Sequence, residues 1–364
     1  MTLQAADNPI SFFDIAAEFG YPTDNKLGNY RNTTSHPGWD LGNLPLDTGI
    51  PTSGPIKFSD FYSKQLNVVI NCWDVSDTGT NYHVNAKTEW NNNNLAIVGD
   101  TNATKKQAGS KVIIHVNKEI GSESGGYSAD TAGKEAQRGK CALRTGTGWS
   151  LTSNMVIDIG DSARLRGAGG KGGKGNNPAD NGAGDLKNGR EGTSALGIQF
   201  GSSHNKTVIN VNASAVIRAG SGGGGGGGGR YYDEGKGKSG HALPGCGGGG
   251  GAGWPVGAAG PAGDGNFSDS YTNQGAANPG SAGTKTAGGD GGTGQSVNKE
   301  GGDGGDDQAN AQNGITGECD AGCSVNGVGG GNGTALRSTG ASNTYTLNNN
   351  GSMVGGTKNS GDVS

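Results

Sequence analysis

The stretch that decides the fold runs from Val208 to Gly229 and reads VINVNASAVIRAGSGGGGGGGG. It opens with alternating apolar residues, which predict a β-strand, followed by a polar turn, a second short strand and eight consecutive glycines. A related stretch, VIDIGDSARLRGAGGKGGKG, begins at Val156, 52 residues earlier, and looser copies begin at Val112 and Thr344. Units of this length usually stack, because a single one cannot bury its own apolar face. The sequence therefore predicts stacked strand-turn-strand units.

The glycine run is the second signal, since it recurs at the same place in the repeat. Glycine supplies 77 of the 364 residues, roughly three times its usual share. A polyproline II helix has three residues per turn and no internal hydrogen bonds, and glycine backbones in that conformation can pack side by side and bond to one another. We therefore expect polyglycine II rods, with Gly222 to Gly229 ordered as one of them. Further rods are expected in the glycine-rich stretches that begin at Gly167, Gly245, Gly257, Ala287, Gly301 and Asn326. The alternative is a disordered glycine linker.

Composition excludes several classes of protein. A net charge of -4 gives no basic surface for nucleic acid, and no apolar run is long enough for membrane insertion. The first residues lack the pattern of a secretory signal, so synthesis in a cytoplasm is expected, with the five cysteines reduced. The pair Cys319 and Cys323 has no zinc-site spacing with histidines nearby. No metal and no cofactor are predicted.

Enzymatic chemistry is not indicated either. The five histidines are scattered, and the adjacent Asp233 and Glu234 do not face each other across a sugar as the carboxylates of a depolymerase would. The pattern also disfavours calcium-binding repeats, which would need a sustained nonapeptide. An ice-binding glycine bundle would need a flat face of small residues, which the scattered Lys, Asp and Asn residues interrupt. The sequence predicts a protein that is not an enzyme.

Changes in residue composition divide the chain into three segments. The predicted fold class is mainly β. Residues 1–65 form a short α/β docking module containing an internal echo, PISFFDI from Pro9 and PIKFSDFY from Pro55. Residues 66–150 form a β-rich shoulder domain with short strands between polar loops. Residues 151–364 form a glycine-rich repeat domain of strand-turn-strand units with polyglycine II rods.

Two resemblances suggest a function. The segments ISFFDIAAEFG, LGNYR and IPTSGPIKFSDFYSK resemble an N-terminal module of virion proteins from cyanophages and related tailed bacteriophages. The glycine-rich remainder is similar in composition and layout to the distal tail fibre adhesins of T-even-like phages, in which a polyglycine II bundle carries receptor-binding loops. These resemblances imply a virion tail protein that attaches to tail or baseplate proteins through its N-terminus and recognises a host surface receptor, a glycan or an outer-membrane protein. The alternative is a purely structural fibre or baseplate component with a polyglycine spacer.

Exposed aromatic residues between glycine runs are the predicted receptor contacts, because such loops offer little local core for a ring to enter. For the N-terminal module, its small mass favours association, with a homotrimer preferred. The receptor-binding candidates are Tyr231, Tyr232, His241, Trp254, Phe267 and Tyr271, and the virion-docking candidates are Phe12, Phe13, Asp14, Phe58, Asp60, Phe61 and Tyr62. The alternative for Trp254 is that its ring caps an end of the glycine bundle.

Overall fold

The fold is known from a computed structural model, and the mainly β prediction is confirmed. The structure describes residues 8–19, 26–30, 50–51, 53–64, 68–71, 84–85, 111–116, 118–122, 138–145, 154–176, 187–199, 207–232, 241–263, 277–294, 300–306, 327–339, 345–358 and 363. Apart from helical residues at 138–139 and 187, the helical elements of the described residues are short and N-terminal: α1 (Phe12–Phe19) and two 3-10 turns, Leu27–Tyr30 and Phe58–Phe61. No helix in these ranges is both long and apolar enough to cross a bilayer.

Three parallel sheets carry most of the strands. The first sheet stacks β1 (Val68–Asn71), β3 (Lys111–Val116), β6 (Asn154–Ile159), β9 (Thr207–Val211) and β14 (Tyr345–Asn349). The second stacks β4 (Glu119–Gly121), β7 (Arg164–Arg166), β10 (Val216–Arg218) and β15 (Ser352–Val354). The third stacks β2 (Val84–Asn85), β5 (Cys141–Arg144), β8 (Ser194–Ile198), β13 (Leu336–Ser338) and β16 (Thr357–Lys358). A separate antiparallel hairpin joins β11 (Arg230–Tyr232) to β12 (His241–Leu243).

The chain visits the three sheets in turn and so winds as a parallel solenoid. Its register follows the repeat seen in the sequence: Val156 pairs with Val208, and Arg166 with Arg218, each 52 positions apart. Strands from 66–150 and from 151–364 share the same sheets, so backbone pairing crosses residue 150. The three-segment division of the chain stays a prediction.

The apolar core lies inside this solenoid. Alternating residues of β9 are buried, as the period of a strand with one inward face requires. Ile157 and Ile209 from the first sheet are fully buried with Leu165 from the second and Leu196 from the third. The same hydrophobic cluster includes Ile15, Tyr30, Ile50 and Phe61 from the N-terminal segment.

Between the second and third sheets, the chain leaves the solenoid in extended glycine-rich segments that bond to one another. We call this array the glycine lattice; it comprises residues 167–176, 187–193, 219–229, 244–252, 255–263, 277–284, 287–294, 300–306 and 327–334. Its hydrogen bonds recur every third residue: the N–H groups of Gly167, Gly170 and Gly173 donate to the carbonyls of Arg218, Ser221 and Gly224. All three of these bonds are 2.8 Å long.

Segment 244–252 shows why glycine is needed. Successive N–H groups from Gly247 to Gly249 donate to three different segments, and the cycle repeats from Gly250 to Ala252. Counting donors and acceptors, this segment bonds to six neighbours, namely 167–176, 219–229, 255–263, 277–284, 287–294 and 300–306. A Cβ on Gly248 would lie 2.2 Å from the carbonyl oxygen of Gly224. The backbones packed around Gly248 leave no room for a side chain at that position.

At the periphery of the lattice, where a segment has no further described segment beside it, polar side chains accept hydrogen bonds from its backbone. The carboxylates of Asp303 and Asp306 accept hydrogen bonds from the N–H groups of Gly291 and Gly288, at 2.8 and 2.7 Å. These aspartates are three residues apart, which matches the period of the lattice. Acidic residues in this part of the sequence therefore satisfy backbone donors.

Candidate functional site

The end of the glycine lattice remote from the sheets is the candidate recognition site, and we call it the far end. There the Asn176 N–H donates to Gly227 and the Gly245 N–H donates to Asn176, at 2.9 and 2.8 Å. The opposite end joins the solenoid, because residues 167 and 219 directly follow β7 and β10. The backbone at the far end is therefore hydrogen-bonded between segments. It forms a platform from which the connecting loops extend.

The hairpin β11–β12 rises from this platform and brings three of the predicted receptor residues together. Tyr231 pairs with Ala242, and Tyr232 pairs with His241. The strands continue directly into lattice segments 219–229 and 244–252, so the hairpin is held at both of its ends. The sequence placed these three residues in one loop, and the pairing sets Tyr232 and His241 directly opposite each other.

Phe267 and Tyr271, also predicted to contact the receptor, lie outside the described residues. The described residues on either side of 264–276 are at the far end, however. Gly263 donates to the Gly245 carbonyl, and the Asn278 carbonyl accepts from Gly247, both at 3.0 Å. The connection that carries the two aromatics therefore leaves and re-enters the lattice beside the hairpin.

Trp254 is separated from the other predicted receptor residues. Its N–H donates to Gly167 at 2.8 Å, and its carbonyl accepts from Ser122 at 3.1 Å, so it lies at the solenoid end of the lattice. Its half-buried ring is covered by Lys285, whose Nζ is 4.0 Å from the ring centroid. In this position Trp254 packs at the junction between lattice and solenoid.

Charged residues that the sequence pattern did not single out complete this junction. Glu119 Oε1 accepts from Arg166 Nε at 2.8 Å, and Glu119 Oε2 pairs with Lys285 Nζ at 2.6 Å. The carboxylate thus bridges a strand of the second sheet and a turn of the lattice. The pairs are 47 and 166 residues apart in the chain, and no local motif signals them.

The docking candidates of the N-terminal segment fall into exposed and buried groups. Phe13 is 75% exposed and Phe58 is 42% exposed, which makes them the rings available to a partner. Phe12 and Tyr62 are half-buried. Phe61 is fully buried, with its ring centroid 6.0 Å from that of Tyr30, and so belongs to the chain's own packing.

The two acidic docking candidates have the same local role. Asp14 accepts a hydrogen bond from the Ser11 N–H at 2.8 Å, and Asp60 accepts one from the Lys57 N–H at 2.7 Å. Each aspartate thus closes the turn that begins three residues earlier, which gives the sequence echo a structural counterpart. The Ser11 hydroxyl and N–H bond to the charged carboxylate and lower the pKa of Asp14 below 3.8.

Two further observations bear on chemistry. Within the described ranges, no group of three or more His, Cys, Asp or Glu side chains is arranged to hold a metal ion. Cys141 lies in the core, where burial raises the pKa of its thiol to about 12 despite the nearby Arg337 and Arg144. A thiol in this environment is inert as a nucleophile.

Comparison with known proteins assigns the architecture to a family. A family model described as phage tail fibre adhesin Gp38 matches residues 80–358. Among solved structures, the chain is similar to the gp37–gp38 adhesin tip complex of the bacteriophage S16 long tail fiber, at 17% identity and a TM-score of 0.39. That match covers 96% of this chain and 98% of the other. No curated protein matches the sequence. The family match starts after the N-terminal module, so the resemblance of residues 1–65 stays a prediction.

Proposed function

This chain belongs to the Gp38 family of phage tail fibre adhesins, and from that premise we propose that its far-end loops carry the contacts to a host surface receptor. As a member of that family it is a non-enzymatic component of the phage tail that serves in host receptor binding. The observation that carries the proposal is the hairpin β11–β12, which holds Tyr231, Tyr232 and His241 on a bonded backbone platform. Loops positioned by a rigid scaffold are a common way to build a binding surface.

We propose that the scaffold itself is a bundle of polyglycine II helices. Two features support this identification: hydrogen bonds recur every third residue along each segment, and they run between segments. A polyproline II helix has three residues per turn and leaves all its backbone groups to be satisfied from outside. Such a bundle fixes the separation between neighbouring loops because every segment is bonded along its length.

The receptor is a surface glycan or an outer-membrane protein. Tyrosine and tryptophan rings suit both, since they offer large rigid faces at low conformational cost. Phe267 and Tyr271 are included in the proposed surface because the residues flanking their loop lie beside the hairpin. Trp254 is assigned to the junction instead, on account of its contacts with Gly167 and Lys285.

A cell-binding assay tests this proposal. Purified full-length protein is incubated with susceptible cells, and bound protein is measured for wild type, Tyr231→Ala/Tyr232→Ala and the control Phe13→Ala. We expect the loop variant to bind at least about tenfold more weakly, as is common for central aromatic contacts, and the control to bind normally. Protease treatment of the cells distinguishes a protein receptor from a glycan. If wild-type protein ignores cells that the intact virion adsorbs to, the chain is a structural spacer instead.

We further propose that residues 1–65 attach the chain to another tail fibre or baseplate protein, with Phe13 and Phe58 as apolar anchors and a homotrimer as the assembled form. The large exposed fraction of both rings supports this assignment. Phage carrying Phe13→Ala/Phe58→Ala should contain less of the protein per particle, whereas phage carrying Tyr231→Ala/Tyr232→Ala should contain the normal amount. Normal occupancy of the first variant would rule out this attachment surface.

A further inference from the structure

The solenoid carries a polar pocket on its first sheet, apart from the loops at the far end of the lattice. It opens on the outer face of the first sheet where β6, β9 and β14 end, and has a volume of about 570 Å³. Its side chains are almost all amides: Asn210, Asn212, Asn348 and Asn350, with Asp158 as the acidic member. This volume is in the range of small-molecule sites.

A hydrogen-bonded ladder forms the floor of the pocket. Asp158, Asn210 and Asn348 occupy the same register position on three adjacent strands. Asn210 Nδ2 donates to Asp158 Oδ1 at 2.6 Å, and Asn348 Nδ2 donates to Asn210 Oδ1 at 2.9 Å. The amides of Asn210 and Asn348 each have two N–H groups and an oxygen with two lone pairs, so these two side chains use only part of their bonding capacity in the ladder. Adjacent rungs are about 4.8 Å apart, the spacing of paired strands.

The turns above the ladder are fixed by backbone bonds. The Asn212 N–H donates to the Ile159 carbonyl and the Asn350 N–H donates to the Val211 carbonyl, each at 2.9 Å. Both asparagines are exposed, so their side chains stand at the mouth of the pocket. The pocket is thus built on strands and tight turns, which hold its polar groups in place.

The chemistry of the lining selects a class of ligand. Anions need a cationic partner, and no Lys or Arg is among the described residues that line the pocket. Calcium ions need a cage of oxygens, whereas here one carboxylate stands among amides whose N–H groups also face the site. Apolar ligands need a predominantly apolar lining, whereas Val211 stands here among four asparagines and an aspartate. A hydroxyl group both donates and accepts, so it can satisfy a carboxylate and an amide N–H together.

We propose that this pocket binds a neutral saccharide through its hydroxyl groups, as a site independent of the far-end loops. The ligand lies across the ladder, accepts hydrogen bonds from the amide N–H groups of Asn210 and Asn348, and donates to Asp158. Asn212 and Asn350 contact it from the mouth. The site needs no catalytic group and performs no reaction.

Saturation-transfer NMR on the full-length protein tests the site, with maltose, lactose, cellobiose and diacetylchitobiose as probes. Wild-type protein should transfer saturation to at least one of them. Asn348→Ala/Asn350→Ala should bind that disaccharide about tenfold more weakly, a difference of about 1.4 kcal/mol. Thr346→Ala is the matched control, because this exposed residue lies on the same strand outside the pocket.

Several results would overturn the proposal. These are the absence of transfer to every probe, equal binding by the double variant and the control, and chemical-shift changes at Asp158 and Asn210 produced by Ca²⁺ without any saccharide. If the double variant melts lower than the control, Asn212→Ala replaces it, since that change keeps both ladder bonds. Tyr231→Ala/Tyr232→Ala should leave the disaccharide signal unchanged, so failure here is distinguishable from failure of the far-end proposal.

Discussion

Gly248→Ala should destabilise the protein through one methyl group placed among backbones. The added Cβ would lie 2.2 Å from the Gly224 carbonyl oxygen, whereas ordinary contact begins at 3.4 Å. Neighbouring segments must therefore move apart by about 1 Å, because a close-packed interior transmits the strain. Gly248 donates to Gly173 at 2.9 Å and accepts from Gly260 at 2.8 Å, and a displacement of that size breaks both bonds.

The magnitude follows from those two bonds. Each buried backbone group left unsatisfied costs about 2 kcal/mol, and the loss of freedom in the unfolded chain returns only about 0.7 kcal/mol. The net destabilisation is about 3 kcal/mol, which lowers the melting temperature by about 4 °C, because unfolding 364 residues carries an entropy of about 0.76 kcal/mol/K. Calorimetry or circular dichroism measures this against Gly28→Ala, a control in which the added Cβ meets nothing within 4 Å. If both variants melt within about 2 °C of each other, close backbone packing does not explain the glycines.

Three further predictions concern individual side chains. Cys141 should resist alkylation at pH 8 in the native protein, as mapped by mass spectrometry, because the pKa of its thiol is raised to about 12. The buried neutral thiol contributes fully to the free energy of unfolding below pH 9, and this contribution is lost as the pH rises through 12. For Asp14, an NMR titration should give a pKa below 3.8, and the pKa should return toward that value in Ser11→Ala. The bonds between Ser11 and the Asp14 carboxylate therefore stabilise the protein at neutral pH and are lost only as acid protonates the carboxylate. Glu191→Gln should cost about 2 kcal/mol, because it leaves Arg138 without the buried carboxylate it now pairs with; equal denaturation midpoints for variant and wild type would contradict this.

The sequence was a good guide where a pattern is local or periodic. Val156 and Val208 share a place in the repeat and pair in the sheet, and the echo between Asp14 and Asp60 reappears as two equivalent turn closures. It also grouped Tyr231, Tyr232 and His241, because a hairpin joins residues that are close in the chain.

It was a poor guide where position depends on the path of the chain. The sequence left two interpretations of Trp254 open, a receptor contact and a cap on the glycine bundle, because the direction of its lattice segment, which carries it to the solenoid end, has no local signal. Whether a segment runs toward or away from the sheets depends on how many segments precede it, and no residue type encodes that count. The amide ladder escaped notice for a related reason, since Asp158 and Asn348 are 190 positions apart and meet only through stacking.

The glycine lattice also determines how stability responds to temperature. Unfolding a conventional core exposes apolar side chains, which raises the heat capacity and makes the free energy of unfolding curve downward in the cold as well as in the heat. Unfolding this lattice exposes mainly peptide groups, whose hydration changes the heat capacity in the opposite direction. The free energy of unfolding of the lattice therefore varies less with temperature than that of a side-chain core of equal size. The lattice thus loses less stability than such a core on cooling or on heating.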